Sequence, residues 1–336
     1  MKKTYLGLMM VLLLAVPAMN VFAQRKLTIK LASLAPENTD WGAALNRMAT
    51  DWARISNNEV ELVVYHNGIQ GREDAVLQKL KSNAIQAGVF TSIGMSLISP
   101  EVITMSAPFF IRNDAELDIV LAEVKPELEK RINDQGFFML TWAKSGWLKI
   151  FSKTPVSTPS ELKRMKVGSS SETPKLTQAF RSMGYQITET SLNDFLIAVN
   201  AGRLDAICQS PIYVASMQVF TTLKYMASIN IAPFMGGLVL NQRAYRELSR
   251  RSYWNQLLEV ALRTGRDIDT SIGRLENTAV NTMLRYGLID EQLSPEQERV
   301  WYTEFEASMP ALLRNGTFDQ ALYDRINGIL RRYRSR

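Results

Sequence analysis

The stretch LTIKL at residues 27–31 sets the fold class, because its apolar residues Leu27, Ile29 and Leu31 alternate with polar ones. Strict alternation of this kind is typical of a β-strand with one buried face. The pattern returns in VELVV at residues 60–64, and between the two stretches apolar residues recur at helical spacing. A strand, a helix and a second strand in this order predict an α/β protein whose sheets are flanked by helices.

Further strands are predicted at residues 85–90, 136–142, 148–151 and 204–208. Two helix starts have the capping-box pattern, in which Ser or Thr stands three residues before Glu or Gln: TPSE at 158–161 and SPEQ at 294–297. Apolar residues at helical spacing from Leu257 to Met283 predict one long helix, and a final helix follows over 322–330. At about 1.5 Å per residue, the long helix could brace two lobes.

The first 23 residues have the order of a secretory signal peptide. Two lysines precede an apolar stretch at 6–18, and the small-residue step VFA ends at Ala23. The apolar stretch is shorter than the roughly 20 residues that a membrane span needs, and Pro17 interrupts it. We therefore expect cleavage near Ala23 and a periplasmic location. We expect no lipid attachment, because no cysteine stands at the cleavage site.

Composition excludes several classes of protein. The chain has 336 residues, of which 46% are hydrophobic, and this is enough for a large core in one or two domains. The single cysteine, Cys208, rules out an internal disulfide and is expected in the core. The formal net charge is +6, but no basic patch interleaved with aromatic residues indicates a nucleic-acid partner.

Catalytic and metal-binding chemistry lacks the residues that it needs. The chain has one histidine, His66, so a histidine cluster for a metal is excluded and a Ser-His-Asp triad would depend on this residue. No Gly-x-Ser-x-Gly elbow, Walker loop or dinucleotide fingerprint accompanies it. We expect His66 to anchor a loop, and we expect no enzymatic activity, metal or cofactor. A hydrolase or lyase that uses His66 is the alternative.

A series of motifs runs along the rest of the chain. They are YHNGIQGRE at 65–73, the segment 82–89, APFF at 107–110, the segment 155–167 that contains PSELK, the segment 198–205, and KY at 224–225. In order and spacing the series resembles the periplasmic substrate-binding subunits of TRAP transporters, the DctP-like family. The resemblance implies a two-lobed, type II-like periplasmic binding protein with a long bracing helix, a helical C-terminus and a cleft that closes around one ligand.

The resemblance also implies lobe boundaries and partners. One lobe would comprise residues 24–145 with 235–275, and the other residues 146–234 with 276–336. The partners would be a small-molecule ligand and the TRAP membrane subunits, which are driven by an ion gradient. A periplasmic sensory or interaction module that signals without transport is the alternative.

The chain departs from the family at the ligand clamp. The family's arginine, which grips a substrate carboxylate through two hydrogen bonds, falls on Gly168, and a second basic position falls on Leu148. The family's cleft asparagine falls near Gln209, and the loop at 90–95 is uncharged. Burying a carboxylate without a paired cation costs roughly several kcal/mol. We therefore expect an apolar, amphipathic or neutral ligand.

The candidate ligand-binding residues are Phe90, Thr91, Ser92, Met95, Trp147, Leu148, Phe151, Gly168, Ser169 and Gln209. The alternative is a conventional organic-acid receptor in which Lys144, Lys149 or Arg164 replaces the missing arginine, since a slip of one residue on a strand turns a side chain to the other face. An arginine-free site also resembles the branch of the family associated with tetratricopeptide-repeat lipoproteins. Such a lipoprotein is therefore a candidate partner.

Overall fold

Strands and helices alternate up to residue 241, and helices dominate the rest of the chain. This arrangement, seen in a computed structural model that describes residues 26–170, 174–190 and 194–335, confirms the α/β class. The predicted signal peptide and its cleavage site at Ala23 lie outside these ranges. No helix within them has both the length and the apolar character needed to cross a membrane.

The strands of the described residues join in one sheet. They are β1 (Leu27–Ala32), β2 (Val60–Tyr65), β3 (Ala87–Thr91), β4 (Phe137–Ser152), β5 (Lys166–Ser170), β6 (Gln186–Thr190), β7 (Ala206–Gln209), β8 (Tyr225–Ala227), β9 (Ala232–Asn241) and β10 (Ile289–Glu291). Their order is β2-β1-β3-β9-β4-β7-β5-β6, with β8 paired to β4 and β10 paired to β8. We call the half that holds β1 to β3 lobe I and the half that holds β5 to β7 lobe II.

Helices cover the faces of both halves of the sheet. They are α1 (Asp40–Ile55), α2 (Glu73–Lys81), α3 (Ser92–Ile98), α4 (Asp114–Asp134), α5 (Pro159–Leu162), α6 (Pro174–Ser182), α7 (Phe195–Asn200), α8 (Pro211–Ser216), α9 (Gln242–Leu248), α10 (Trp254–Arg285), α11 (Pro295–Arg314) and α12 (Gln320–Arg334), with 3₁₀ helices at Pro100–Ser106 and Val219–Thr221. The predicted capping box of α11 is present. Gln297 N–H donates to Ser294 Oγ at 3.3 Å, and Ser294 N–H donates to Gln297 Oε1 at 2.7 Å.

Two long strands, β4 and β9, connect the lobes. They pair with each other from Phe137 opposite Asn241 to Leu148 opposite Ala232, and the end of β4 then pairs with β7 and β8 of lobe II. The two strands predicted at 136–142 and 148–151 are therefore one strand. Its register shifts between Lys144 and Trp147.

The long helix α10 spans both lobes as predicted. Its 32 residues extend about 48 Å at about 1.5 Å per residue. Leu257 packs in the lobe I cluster that contains Trp52, and Met283 packs in a lobe II cluster. Gly265 lets the helix approach β4 closely, because a Cβ atom at this position would lie 2.2 Å from Thr141 Oγ1.

The C-terminal helix α12 packs on lobe I. Its buried residues Leu322, Ile326 and Ile329 share a core cluster with α4 of that lobe. Arg334 makes two hydrogen bonds of 2.8 Å with the carboxylate of Glu116, which lies on α4. The sequence placed residues 276–336 in lobe II, and α12 departs from that assignment. Its apolar stripe predicts a buried face but does not indicate which lobe this face covers.

Candidate functional site

An apolar cavity of about 180 Å³ lies between the lobes. Lobe I contributes α3 and the first 3₁₀ helix to its walls, and lobe II contributes β4, β5, β7, α6 and α11. Among the described residues that line it, none is Lys, Arg, Asp or Glu. The cavity can therefore reward the burial of apolar surface, at about 25 cal/mol per Å².

The alternation of side chains along β4 decides which of its residues reach the cavity. Leu148 and Ile150 line it, whereas Phe151 is fully buried on the opposite face in the lobe II core. Successive residues of a strand point to opposite faces, so Leu148 and Phe151 cannot both contact a ligand there. Trp147 is also buried outside the cavity, where its Nε1–H donates to Asp114 Oδ1 at 3.1 Å.

The same alternation explains the glycine on β5. Val167 and Ser169 line the cavity. Gly168 borders it only with its backbone, because a Cβ atom there would point into the lobe II core, 2.8 Å from Leu204 Cδ1 and 3.1 Å from Ile207 Cγ2. Both distances are shorter than ordinary van der Waals contact, so this position has no room for an arginine side chain without repacking.

In lobe I, Ser92 is the predicted site residue that lines the cavity. Its Oγ donates to the carbonyl oxygen of Met235 at 2.9 Å, which ties the start of α3 to β9. Phe90 and Met95 are fully buried in the lobe I core. Thr91 Oγ1 donates to Glu73 Oε2 at 2.9 Å and caps α3, so its side chain is engaged within lobe I.

The polar groups of the cavity are mostly paired within the protein. Ser169 Oγ lies 2.8 Å from Thr177 Oγ1, and Ser106 Oγ donates to the Pro233 carbonyl oxygen at 3.2 Å. The side-chain amide of Gln209 lines the cavity and makes no hydrogen bond to another described residue. Gln209 is therefore the lining group best placed to bind a polar atom of a ligand.

Two ionisable lining groups are held neutral. Burial raises the pKa of the Cys208 thiol to about 12. Burial, together with Glu304, also raises the pKa of Tyr185, whose hydroxyl donates to Glu304 Oε1 at 2.9 Å. Neither group supplies charge to the cavity near neutral pH.

The three basic residues considered as substitutes for the missing arginine lie elsewhere. Lys149 points away from the cavity, where its Nζ donates to Ser228 O at 3.1 Å and to Asn230 Oδ1 at 3.0 Å. Lys144 forms an ion pair with Asp118 on α4. Arg164 is exposed and is not among the residues that line the cavity.

The single histidine has a structural environment. His66 is buried in the turn after β2, and its Nε2 lies 2.9 Å from Asn46 Oδ1 on α1. Among the described residues, no group of three or more His, Cys, Asp or Glu side chains is arranged to hold a metal ion. His66 therefore ties a turn to a neighbouring helix.

Seven aromatic residues of the described ranges line the cavity but were not predicted as site residues, namely Phe109, Phe180, Tyr185, Phe195, Phe234, Trp301 and Phe305. Phe109 belongs to the motif APFF, so the sequence carried a signal for it. Trp301 and Phe305 lie four residues apart on α11, and this spacing places them on one helix face. Such a face indicates burial but does not distinguish a core from a cavity.

Comparison with known proteins identifies the family. Residues 31–314 match the family described as bacterial extracellular solute-binding protein, family 7, or DctP. Two curated relatives are a solute-binding protein of Chromohalobacter salexigens, 24% identical over 40% of this chain, and the 2,3-diketo-L-gulonate-binding periplasmic protein YiaO of Escherichia coli, 22% identical over 58%. The matches span 41% and 60% of those relatives, about half of their length.

A solved structure confirms the fold. A TRAP periplasmic solute-binding protein from Chromohalobacter salexigens with bound D-glucuronate superposes with a TM-score of 0.80 at 17% sequence identity, covering 90% of this chain and 99% of that one. The expected two-lobed fold is therefore correct. The family consists of receptors rather than enzymes, which confirms that expectation as well. The chain belongs to family 7 of the bacterial extracellular solute-binding proteins, the DctP family.

Proposed function

We propose that this protein is the periplasmic receptor of a TRAP-type transporter and that it binds an apolar or amphipathic ligand between its lobes. The observation that carries the proposal is the composition of the interlobe cavity, whose described lining residues include no charged side chain. A carboxylate placed there would lose its hydration without gaining a cation, which costs roughly several kcal/mol. An apolar chain would gain free energy from the same surface.

The position of Gly168 supports the proposal independently. The side chain of an arginine at this position would have to displace Leu204 and Ile207 from the lobe II core. The glycine therefore fits the way the core of this chain is packed. Since Lys144, Lys149 and Arg164 also lie away from the cavity, no basic residue of the described ranges takes the place of the clamp.

A sugar-acid receptor is the second candidate function. The names of the relatives favour it, because one is described as binding 2,3-diketo-L-gulonate and another was solved with D-glucuronate. In this chain, Gln209, Ser169 and Tyr185 would supply neutral hydrogen-bonding groups to such a ligand. They could bind its hydroxyl groups, but they would leave its carboxylate without a charged partner.

Native mass spectrometry of the purified protein, followed by extraction and identification of the bound molecule, tests the proposal. We expect a co-purifying molecule with an extended apolar part. Thermal unfolding in the presence of D-glucuronate provides the comparison, because a ligand that binds only the folded state raises the Tm in proportion to its affinity. A sugar acid at full occupancy, or a large rise in Tm with D-glucuronate, would contradict the apolar-ligand proposal.

We propose that the TRAP membrane subunits receive the ligand. A tetratricopeptide-repeat lipoprotein is a second candidate partner, which rests only on the resemblance of the arginine-free site to the branch of the family associated with such lipoproteins. Affinity purification from membranes of the native organism tests both. Recovery of membrane permease subunits supports transport, whereas recovery of a membrane sensor without permease subunits would favour a signalling module.

A further inference from the structure

A second cavity lies on the far side of the ligand cavity, between α11 and α12. It measures about 290 Å³, and its walls include the rings of Tyr302 and Tyr323 and the guanidinium groups of Arg331 and Arg334. A further depression of about 370 Å³ continues it along the two helices and shares Tyr323 and Arg331 with it. We call these two spaces together the α11–α12 groove.

A thin wall separates the groove from the interlobe cavity. Pro108, Phe109 and Phe305 line both spaces, so the two are separated by the thickness of these side chains. The ring of Phe109 packs at centroid distances of 4.7 Å from Phe305 and 5.3 Å from Trp301. We call Pro108, Phe109 and Phe305 the Phe109 wall.

The backbone at Phe109 is strained. Its φ angle is +58°, in the left-handed region that a bulky side chain rarely occupies. Its N–H donates at 2.6 Å to the carbonyl oxygen of Ile231, the residue before β9, and this bond holds Phe109 in this conformation. Strained residues of this kind concentrate at ligand clamps and switches. Here the strain lies at the one wall that separates the two spaces.

The groove favours an anion. Arg331 lines it and forms no ion pair with another described residue. Arg112 stacks 3.7 Å above the Tyr302 ring and pairs with Glu306 at 3.1 Å, and Arg334 is paired with Glu116. Burial and the nearby charge of Arg334 lower the pKa of Arg112, as expected where cations accumulate. Glu306 itself lines both parts of the groove, but its carboxylate is paired with Arg112, whereas Arg331 remains available.

The volumes of the two spaces also favour a ligand that occupies both of them. Pockets for small molecules usually measure roughly 300–1,000 Å³. The interlobe cavity alone, at about 180 Å³, is smaller than this range, whereas the cavity and the groove together fall within it. One end of the combined space is apolar, and the other carries unneutralised positive charge.

We propose that the interlobe cavity and the α11–α12 groove form one extended site for an amphipathic anion. The apolar chain of the ligand lies in the cavity, and its anionic end lies beside Arg331 after the Phe109 wall opens. The proposal rests on the proposed apolar-ligand function and adds to it the charge and the position of the polar end.

Paired titrations with dodecanoate and dodecan-1-ol test the proposal, because the two probes differ mainly in their charged end. We expect the wild-type protein to bind dodecanoate about tenfold more tightly than the alcohol, since a hydrogen bond to a charged group has about this effect. Arg331→Gln should abolish the difference. The matched control is Arg325→Gln, which removes an equal charge from α12 at a residue that pairs with Glu127 outside the groove and should leave the difference unchanged.

A second measurement locates the anionic end directly and uses only the wild-type protein. A dodecanoate analogue with a photoreactive diazirine next to its carboxylate should label peptides of α12, which lines the groove but not the interlobe cavity, whereas an analogue labelled at its methyl end should label β4 or β5. Labelling of the cavity strands by both analogues would overturn the extended site.

The outcomes separate this proposal from the function on which it rests. Equal affinities for dodecanoate and the alcohol, unchanged in Arg331→Gln, would overturn the extended site and leave the apolar cavity supported. Failure of both probes to bind, together with tight binding of D-glucuronate, would overturn the proposed function and the extended site with it.

Discussion

At the scale of single residues, the direction of a side chain determines the candidate site more than its chemical type. Leu148 and Gly168 both stand where the resemblance implies a basic residue, yet the two have different consequences. Leu148 projects its side chain into the cavity, whereas the side chain of any residue at 168 would enter the core. Packing therefore explains why position 168 holds no arginine, but it does not explain why position 148 holds no basic residue.

Replacing Gly168 by alanine should destabilise the protein by about 1–3 kcal/mol, because the added Cβ atom would lie 2.8 Å from Leu204 Cδ1 and overpack the core. Urea unfolding followed by circular dichroism measures the change. Gly273→Ala is the matched control, since a Cβ atom there meets no other atom within 4 Å and alanine favours the helix by about 0.5–1 kcal/mol. Equal stability of Gly168→Ala and the wild type would refute the packing explanation.

Introducing a cation at Leu148 should shift the ligand preference from apolar molecules toward sugar acids. In Leu148→Arg, the guanidinium would enter a cavity that has no other charged lining residue among those described, so binding of the native apolar ligand should weaken about tenfold or more. Binding of D-glucuronate should improve. Leu148→Met keeps the volume and apolar character and should change either affinity little. Calorimetric titration of both variants checks this, and unaltered selectivity of Leu148→Arg would argue against an apolar site.

The candidate site could be read from the sequence only in part. Ser92, Leu148, Gly168, Ser169 and Gln209 border the cavity, and their roles in binding stay predictions. The other five candidates are core or capping residues, because sequence position fixes the strand but not the face that a bend or register shift turns toward the cleft. Phe109 and the two aromatics of α11 come from distant segments, and their meeting depends on tertiary packing.

At the scale of elements, α10 is attached to β4 by two carboxylates. Asp269 Oδ1 accepts from Lys144 N–H at 2.5 Å, and Glu276 Oε1 accepts from Trp147 N–H at 3.2 Å. These contacts flank the register shift of β4, where Gly146 has a φ angle of +88°. The carboxylates satisfy backbone donors that the irregular strand leaves without a partner in the sheet.

The contribution of Glu276 to the stability of the protein should depend on pH. Burial holds the pKa of Glu276 above its ordinary value of 4.5, although Trp147 N–H and Lys149 lower it. The folded state thus binds this proton more tightly than the unfolded state, so the contribution of Glu276 to the free energy of unfolding rises as the pH falls from 7 toward 4.5. The stability of the wild type relative to Glu276→Gln should therefore increase over this interval. Chemical denaturation at a series of pH values measures it.

Glu296→Gln provides a contrast of opposite sign. Glu296 is exposed at the start of α11, and its own backbone N–H and Ser294 lower its pKa. Its stabilising effect is present above pH 4.5 and is lost as the pH falls further, so the wild type should lose stability relative to this variant below that value. A stability difference for Glu276→Gln that does not vary with pH would contradict the role of burial.

At the scale of the whole molecule, the first and last elements of the described structure lie in the same lobe. The first strand, β1, belongs to lobe I, and α12 packs on lobe I after α11 has covered lobe II. Periodicity in the sequence correctly predicted the helical C-terminus, since an amphipathic stripe is a local signal. The lobe that receives α12 depends on contacts with α4 some 200 residues away, as in the hydrogen bonds between Arg334 and Glu116.

Ile326→Ala should therefore weaken lobe I. Ile326 is fully buried in the cluster that α12 shares with α4, and its truncation should destabilise the protein by about 2–5 kcal/mol. Hydrogen exchange followed by mass spectrometry should show lost protection in α4 before β5 or β6. Gln320→Ala, at an exposed position of the same helix, should change stability by no more than about 0.5 kcal/mol. Loss of protection in lobe II alone would contradict the packing of α12 on lobe I.

The continuity of β4 and β9 has a mechanical consequence. A pair of hydrogen-bonded strands joins the lobes, and it resists twisting in a way that a flexible linker would not. Any rotation of one lobe against the other must bend this ribbon and α10 together, so the connection behaves as an elastic spring. Part of the binding free energy of a ligand that draws the lobes together would be stored in the bend, and would be returned as recoil when the ligand leaves.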